Sequence, residues 1–119
     1  MIESGGDPYA EERYVDLHMH STASDGALAP RDVVAAAHRV GLTAIALTDH
    51  DTIDGLAEAE ATGRALGVRV VPGIELSAVD DGDEIHVLGL HLSEPGPLAN
   101  TLAELLESRR ERARATVAI

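Results

Sequence analysis

The sequence predicts an α/β chain with its elements in the order β-α-β-α-β-β-α. Three observations predict it. The apolar run at 43–48 lacks polar alternation, as a strand buried on both faces does. The segments between strands carry apolar residues at helical spacing and close on glycine. Strand starts recur about every 25–30 residues, the rhythm of a parallel βα sheet or barrel.

Each element has its own justification. Residues 1–13 read as a flexible N-terminal tail, broken by Gly5, Gly6, Asp7 and Pro8. The β-prone run 14–18 (YVDLH) follows, then a loop over 21–26 (STASDG). Pro30 suits a first helical turn, Val33, Val34, Ala37 and Val40 mark one face, and Gly41 suits the position after the helix. After the strand at 43–48 comes a helix over 54–66 that closes on Gly67. The third strand, 68–71, is expected to be distorted at Pro72 and Gly73 before it resumes over 74–76. A turn at 80–83 (DDGD) leads into the alternating strand 85–92. A Pro/Gly turn at 93–97 precedes a helix carrying Leu98, Leu102, Leu105, Leu106 and Val117, which runs to the last residue.

Composition narrows the chemistry. The 119 residues include 9 basic and 21 acidic side chains, for a formal charge of −12, and the basic residues are all Arg. There is no Cys, so disulfides, zinc fingers, iron–sulfur clusters and a thiol nucleophile are excluded. The acidic balance argues against a basic nucleic-acid platform. No apolar run is long enough to span a bilayer, and the first residues do not resemble a signal peptide, so a cytoplasmic protein is expected. Six histidines in so acidic a chain ask for a chemical explanation.

The polar residues gather after strands. His18 and His20 close the first, Asp25 lies in the loop beyond, Asp49, His50 and Asp51 follow the second, Glu75 ends the third, and His86 lies on the fourth. Sites in βα folds form at such strand ends. Side chains two apart on a strand point the same way, so His18 and His20 face one side and suit one metal, with Asp16 one step deeper on that side. Imidazole with carboxylate favours Mn, Fe or Zn over Ca or Mg. Singly, each residue has a plainer reading. Asp25 before Gly26 makes a turn, His50 begins a helix, and Glu75 is a solvated strand end. Three successive strand ends offering donors in one register outweigh these readings.

The stretches DLHMHSTASDG (16–26), TDHD (48–51) and PGIE (72–75), with His86, resemble the PHP family, named for polymerase and histidinol phosphatase. The resemblance covers residues 14–92 and comes nearest to the branch of bacterial 3′,5′-nucleoside bisphosphate phosphatases, some of which also act as 5′→3′ exoribonucleases on short RNA. It implies a distorted (β/α)7 barrel, similar to a TIM barrel, with a trinuclear metal site at its C-terminal rim. By motif, His18 and His20 resemble ligands of a first metal, Asp25 and His50 of a second, and His86 of a third, with Glu75 bridging the first and third. The resemblance thus implies up to three divalent ions, Mn first and Fe or Zn as alternatives. Catalysis would run through the ions held by Asp25, His50 and Glu75, on a phosphorylated small molecule or a short nucleic acid; no protein partner is implied.

Asp16, Asp49 and Asp51 would orient ligands from behind; their plainer roles are a buried carboxylate bonded to backbone amides for Asp16 and helix caps for the other two. His38 suits a helix C-terminus, and His91 faces away from His86 by alternation. Arg109, Arg110, Arg112 and Arg114 read as a solvated helix face paired with Glu104, Glu107 and Glu111.

The family draws three further ligands, a His and an Asp-x-His pair, from later in the chain, and nothing after His91 supplies them. Residues 14–119 are therefore expected to be the N-terminal part of a PHP barrel, with an open sheet edge and an incomplete site, inactive alone. Three other functions compete: an amidohydrolase, against which the absence of Lys counts; a non-catalytic PHP module of a polymerase, against which the six filled positions count; and a histidinol phosphatase, with the same chemistry on another substrate. The acidic charge also fits this family, because three divalent ions would offset about six negative charges.

Overall fold

The computed structural model of the chain describes residues 12–117. Most of the expected tail lies outside the described residues, as do the last two positions of the expected final helix. The elements are β1 (Tyr14–Met19), α1 (Pro30–Arg39), β2 (Leu42–Leu47), α2 (Leu56–Leu66), β3 (Arg69–Asp80), β4 (Asp83–Leu90) and α3 (Pro95–Val117). The predicted order holds. Among the described residues no helix is long and apolar enough to cross a membrane.

The four strands form one sheet in the order β1-β2-β3-β4. β1, β2 and the first half of β3 run parallel, with Met19 beside Leu47 and Leu47 beside Pro72. That row aligns the C-terminal ends of three strands, and the polar residues follow it. Each parallel connection carries a helix. Helix α1 starts on Pro30, and both helices are followed by a left-handed glycine, Gly41 and Gly67. Together they bury Val33, Val34, Ala37, Leu56 and Ala59 against Ile45 and Leu47 of β2, with Val68 closing the cluster. Val40, expected on that face, caps the helix instead and is 74% exposed.

Strand β3 departs from expectation. It runs on for 12 residues, to Asp80 and beyond the expected end at 76, and at Pro72 and Gly73, where distortion is expected, it changes partner. Arg69 to Pro72 pair with β2, whereas Gly73 to Asp80 pair antiparallel with β4. Proline has no N–H to give a ladder, but its carbonyl still accepts one, here from Leu92 at 3.1 Å. The hairpin then turns through Asp81 and Gly82, both at positive φ (49° and 85°), the two-residue turn that matches strand twist.

The expected open edge is present: among the described residues β1 pairs only with β2 and β4 only with β3, and the sheet does not close. Tyr14, Val15 and Leu17 on β1 and Val79, Ile85 and Val87 on the hairpin remain exposed. Helix α3 buries apolar surface only in its first half. Leu102 is buried, while Leu106 and Val117, expected on the apolar face, are exposed.

Ile45 is fully enclosed on the central strand between both helices. Ile45→Ala should cost about 2–5 kcal/mol of unfolding free energy. Urea denaturation measures this, and a loss below about 1 kcal/mol would mean that the α1–β2–α2 cluster is not the core.

Candidate metal centre

Past the row Met19–Leu47–Pro72, the chain brings six donor side chains together. His18 and His20 leave the end of β1, and Asp25 lies in the loop before α1. His50 follows β2 and forms an isolated parallel bridge with Glu75. Glu75 lies on β3 just past the partner switch, and His86 lies on β4 opposite Ser77.

Glu75 is the hub, only 4% exposed. Its Oε1 lies 2.5 Å from His18 Nε2 and 3.7 Å from His20 Nε2. Its Oε2 lies 2.7 Å from His50 Nδ1 and 3.1 Å from His86 Nδ1. Asp25 closes the far side, with Oδ1 2.9 Å from His20 Nδ1 and Oδ2 3.2 Å from His50 Nε2. The imidazoles form a chain, with ring centroids 5.2 Å apart for His18–His20, 4.3 Å for His20–His50 and 5.5 Å for His50–His86.

The electrostatics follow from this packing. Burial pushes Glu75 upward, but the His18 hydrogen bond and the positive charge of His50, His18 and His20 outweigh it, leaving its pKa below the usual glutamate value. The His20 hydrogen bond holds Asp25 below the usual aspartate value. His86 is raised, first by its hydrogen bond to Glu84.

The donor chemistry fits divalent cations. Three overlapping sets, His18–His20–Glu75, His20–Asp25–His50 and His50–Glu75–His86, each place three candidate ligand atoms within 4.8 Å of one another. Ligands about 2.0–2.2 Å from one ion lie up to about 4.4 Å apart, so small side-chain adjustments suffice.

The three flanking aspartates each accept from nearby donors. Asp49 caps no helix, because α2 starts after Gly55. Its buried carboxylate instead accepts from the Ser21 amide (2.6 Å), the Ser21 hydroxyl (2.7 Å) and the Ser24 hydroxyl (2.8 Å). It therefore fastens the loop that carries Asp25. Gly26 completes that loop: a Cβ there would lie 2.6 Å from the His20 carbonyl oxygen. Asp51 also caps no helix. It accepts from the Ser77 amide at 2.8 Å and from Arg109 at 3.1 Å. Burial raises Asp51, but these partners outweigh it and its pKa falls below the usual value. Asp16 is exposed and accepts from the His18 backbone amide at 3.1 Å, so it steadies the strand and does not meet an imidazole.

Ser21, Ser24, Ser77, Glu84 and Arg109 were not legible as parts of the site. Their contacts bridge loops and distant elements, and no local pattern separates such serines from solvated ones. The Arg row on α3 divides: Arg114 pairs with Glu107 as expected, at 3.4 Å, but Arg109 leaves the helix for Asp51. A cavity of about 340 Å³ opens between α3 and the loop after β2, lined by His50, Asp51, Ile53, Leu102, Leu106 and Arg109. His38 and His91 lie outside the cluster, both exposed.

The PHP domain family matches residues 16–113. The chain belongs to the PHP family. It is 40% identical over 97 residues to a 5′-3′ exoribonuclease of Haemophilus influenzae, an alignment covering 82% of this chain and 35% of that protein. It is 42% identical over 101 residues to a 3′,5′-nucleoside bisphosphate phosphatase of Chromobacterium violaceum, covering 84% and 35%. Among solved structures, a metal-dependent phosphoesterase of Bifidobacterium adolescentis superposes with a TM-score of 0.77 at 30% identity, over 86% of this chain and 36% of that one. This PHP chain thus spans about a third of the length of the curated relatives it matches.

The two aspartates should separate by experiment. Asp49→Ala strands buried donors of Ser21 and should cost about 2–4 kcal/mol, whereas exposed Asp16→Ala should stay within about 0.5 kcal/mol. Urea unfolding of both variants checks this; equal losses would show that Asp49 does not anchor the loop.

Proposed function

We propose that this chain supplies six ligands to the metal centre of a cytoplasmic phosphoesterase that hydrolyses phosphate esters of nucleotides. 3′,5′-Nucleoside bisphosphates, or the 5′ end of short RNA, are the substrate class the two named relatives favour. Residues 14–119 would form the N-terminal part of the PHP barrel, and a later His and Asp-x-His pair would complete the donor set.

One observation carries the reading. The buried Glu75 turns Oε1 to His18 and His20 and Oε2 to His50 and His86. A carboxylate with different imidazoles at each oxygen is built to bridge two cations. His18 and His20 would hold the first with Glu75, Asp25 and His50 the second, and His86 the third, again with Glu75. Mn suits this set, with Fe or Zn as alternatives.

Divalent ions, when bound, supply Lewis acidity that polarises a phosphoryl oxygen and acidifies water. The chain's own residues set the geometry. Asp49 and the two serines hold the Asp25 loop against the strand ends, and burial of Glu75 keeps bulk water from competing for its oxygens. The cavity beside His50 gives the organic part of a substrate room next to the donors. An amidohydrolase reading is weaker, because Asp25 and the Glu75–His86 pair match the PHP pattern and Glu75 takes the bridging position.

The test is phosphate release from a nucleoside 3′,5′-bisphosphate by the full-length protein with Mn. Release that stops with a chelator supports the reading. Inertness toward bisphosphates together with cleavage of amides would overturn it. His50→Ala and Glu75→Ala should each lower turnover by at least about 100-fold while circular dichroism stays native. Near-normal turnover in either would refute the assignment of those ligands.

A further inference from the structure

Asp51 and Arg109 lie outside the donor set, yet both are tied to it. Asp51 directly follows His50 and holds a left-handed backbone, with φ 52°. A residue with a Cβ keeps that conformation only where its surroundings enforce it. Three contacts do so here. The Asp51 amide donates to the Glu75 carbonyl at 3.0 Å. Its carboxylate accepts from the Ser77 amide at 2.8 Å and from the Arg109 guanidinium at 3.1 Å. The first two partners belong to β3, and Ser77 faces His86 across the hairpin. The third comes from α3, 58 residues along the chain. Any rotation of Asp51 out of the left-handed region swings the preceding peptide, and with it the His50 ring. That ring has contacts of 2.7 Å to Glu75 and 3.2 Å to Asp25, so a small swing breaks both.

We propose that Arg109 is a positioning residue: by clamping the Asp51 carboxylate it locks the left-handed turn that aims the His50 ring at Asp25 and Glu75. Helix α3 is thereby coupled to the donor cluster through one side chain. Leu102, on the same helix, is also buried, so the Arg109→Lys and Arg110→Ala variants below separate the clamp from helix docking. The ring-aiming part stands on geometry alone; only the consequence for metal affinity rests on the metal reading above.

The full-length protein, with Arg109→Ala, Arg109→Lys, Asp51→Asn, the Arg109→Ala/Asp51→Asn pair and Arg110→Ala as a control, supplies the test. The first readout needs no metal: NMR correlations of the histidine ring nitrogens. Arg109→Ala and Asp51→Asn should shift or broaden the His50 signals and leave those of His38 on α1 unchanged. Arg109→Lys, which keeps the charge, and Arg110→Ala should resemble the wild type. The second readout is Mn titration followed by electron paramagnetic resonance. Arg109→Ala should weaken binding about tenfold, and the double variant should bind no more weakly than Asp51→Asn alone. Unchanged His50 signals in Arg109→Ala would overturn the inference, as would equal effects from Arg110→Ala or a shift of His38 along with His50. If the wild type binds no Mn while the His50 signals respond as expected, the metal reading fails and the positioning role stands.

Discussion

A carboxylate buried to 4% exposure governs this structure. Left without partners, Glu75 would cost several kcal/mol or take up a proton. Four imidazoles, from the ends of β1 and β2 and from β4, converge on its two oxygens and offset that cost. That convergence constrains everything around it. The strand ends must align to within a residue, since a one-residue slip would turn a side chain to the other face. The row Met19–Leu47–Pro72 is that alignment.

The partner switch in β3 follows from the same need. While β3 pairs with β2, it extends the parallel sheet. Beyond Pro72 the segment 49–51 takes up the freed edge: the Glu75 amide donates to the Asp49 carbonyl and the Asp51 amide to the Glu75 carbonyl. His50 is thereby strapped beside Glu75 by main-chain bonds, and its ring has little freedom left. On the opposite edge, β4 brings His86 to the same carboxylate. A conventional strand break at Pro72 would have separated these two edges.

Much of this was legible in sequence, and the physical reasons are specific. His18 and His20 declare a shared face because strand alternation is a local rule. Asp25, His50, Glu75 and His86 declare themselves by motif and by falling after apolar runs. What stayed hidden depends on distance. Asp49 looks like a helix cap until the fold shows Ser21 and Ser24, which lie 28 and 25 residues away. The continuity of β3 through Pro72 and Gly73 depends on which strands flank it, and local propensity argues against it. Leu106 and Val117 satisfy a helical period yet remain exposed, because periodicity states which residues share a face and not whether anything covers that face.

The hydrogen bonds of the cluster and its capacity for cations describe the same electrons. Each short contact between an imidazole nitrogen and a carboxylate oxygen brings together two atoms that can each give a lone pair to a cation. A divalent ion placed there would take both lone pairs, in competition with any proton. The cluster suits ions because the donor atoms are already gathered. A chain carrying a formal charge of −12 would repel a phosphate if its acid groups stood free around the site. In the cluster the carboxylates of Asp25 and Glu75 face imidazoles, and each ion added there contributes two positive charges. The mouth of the site would therefore become attractive to a phosphoryl group without any basic patch.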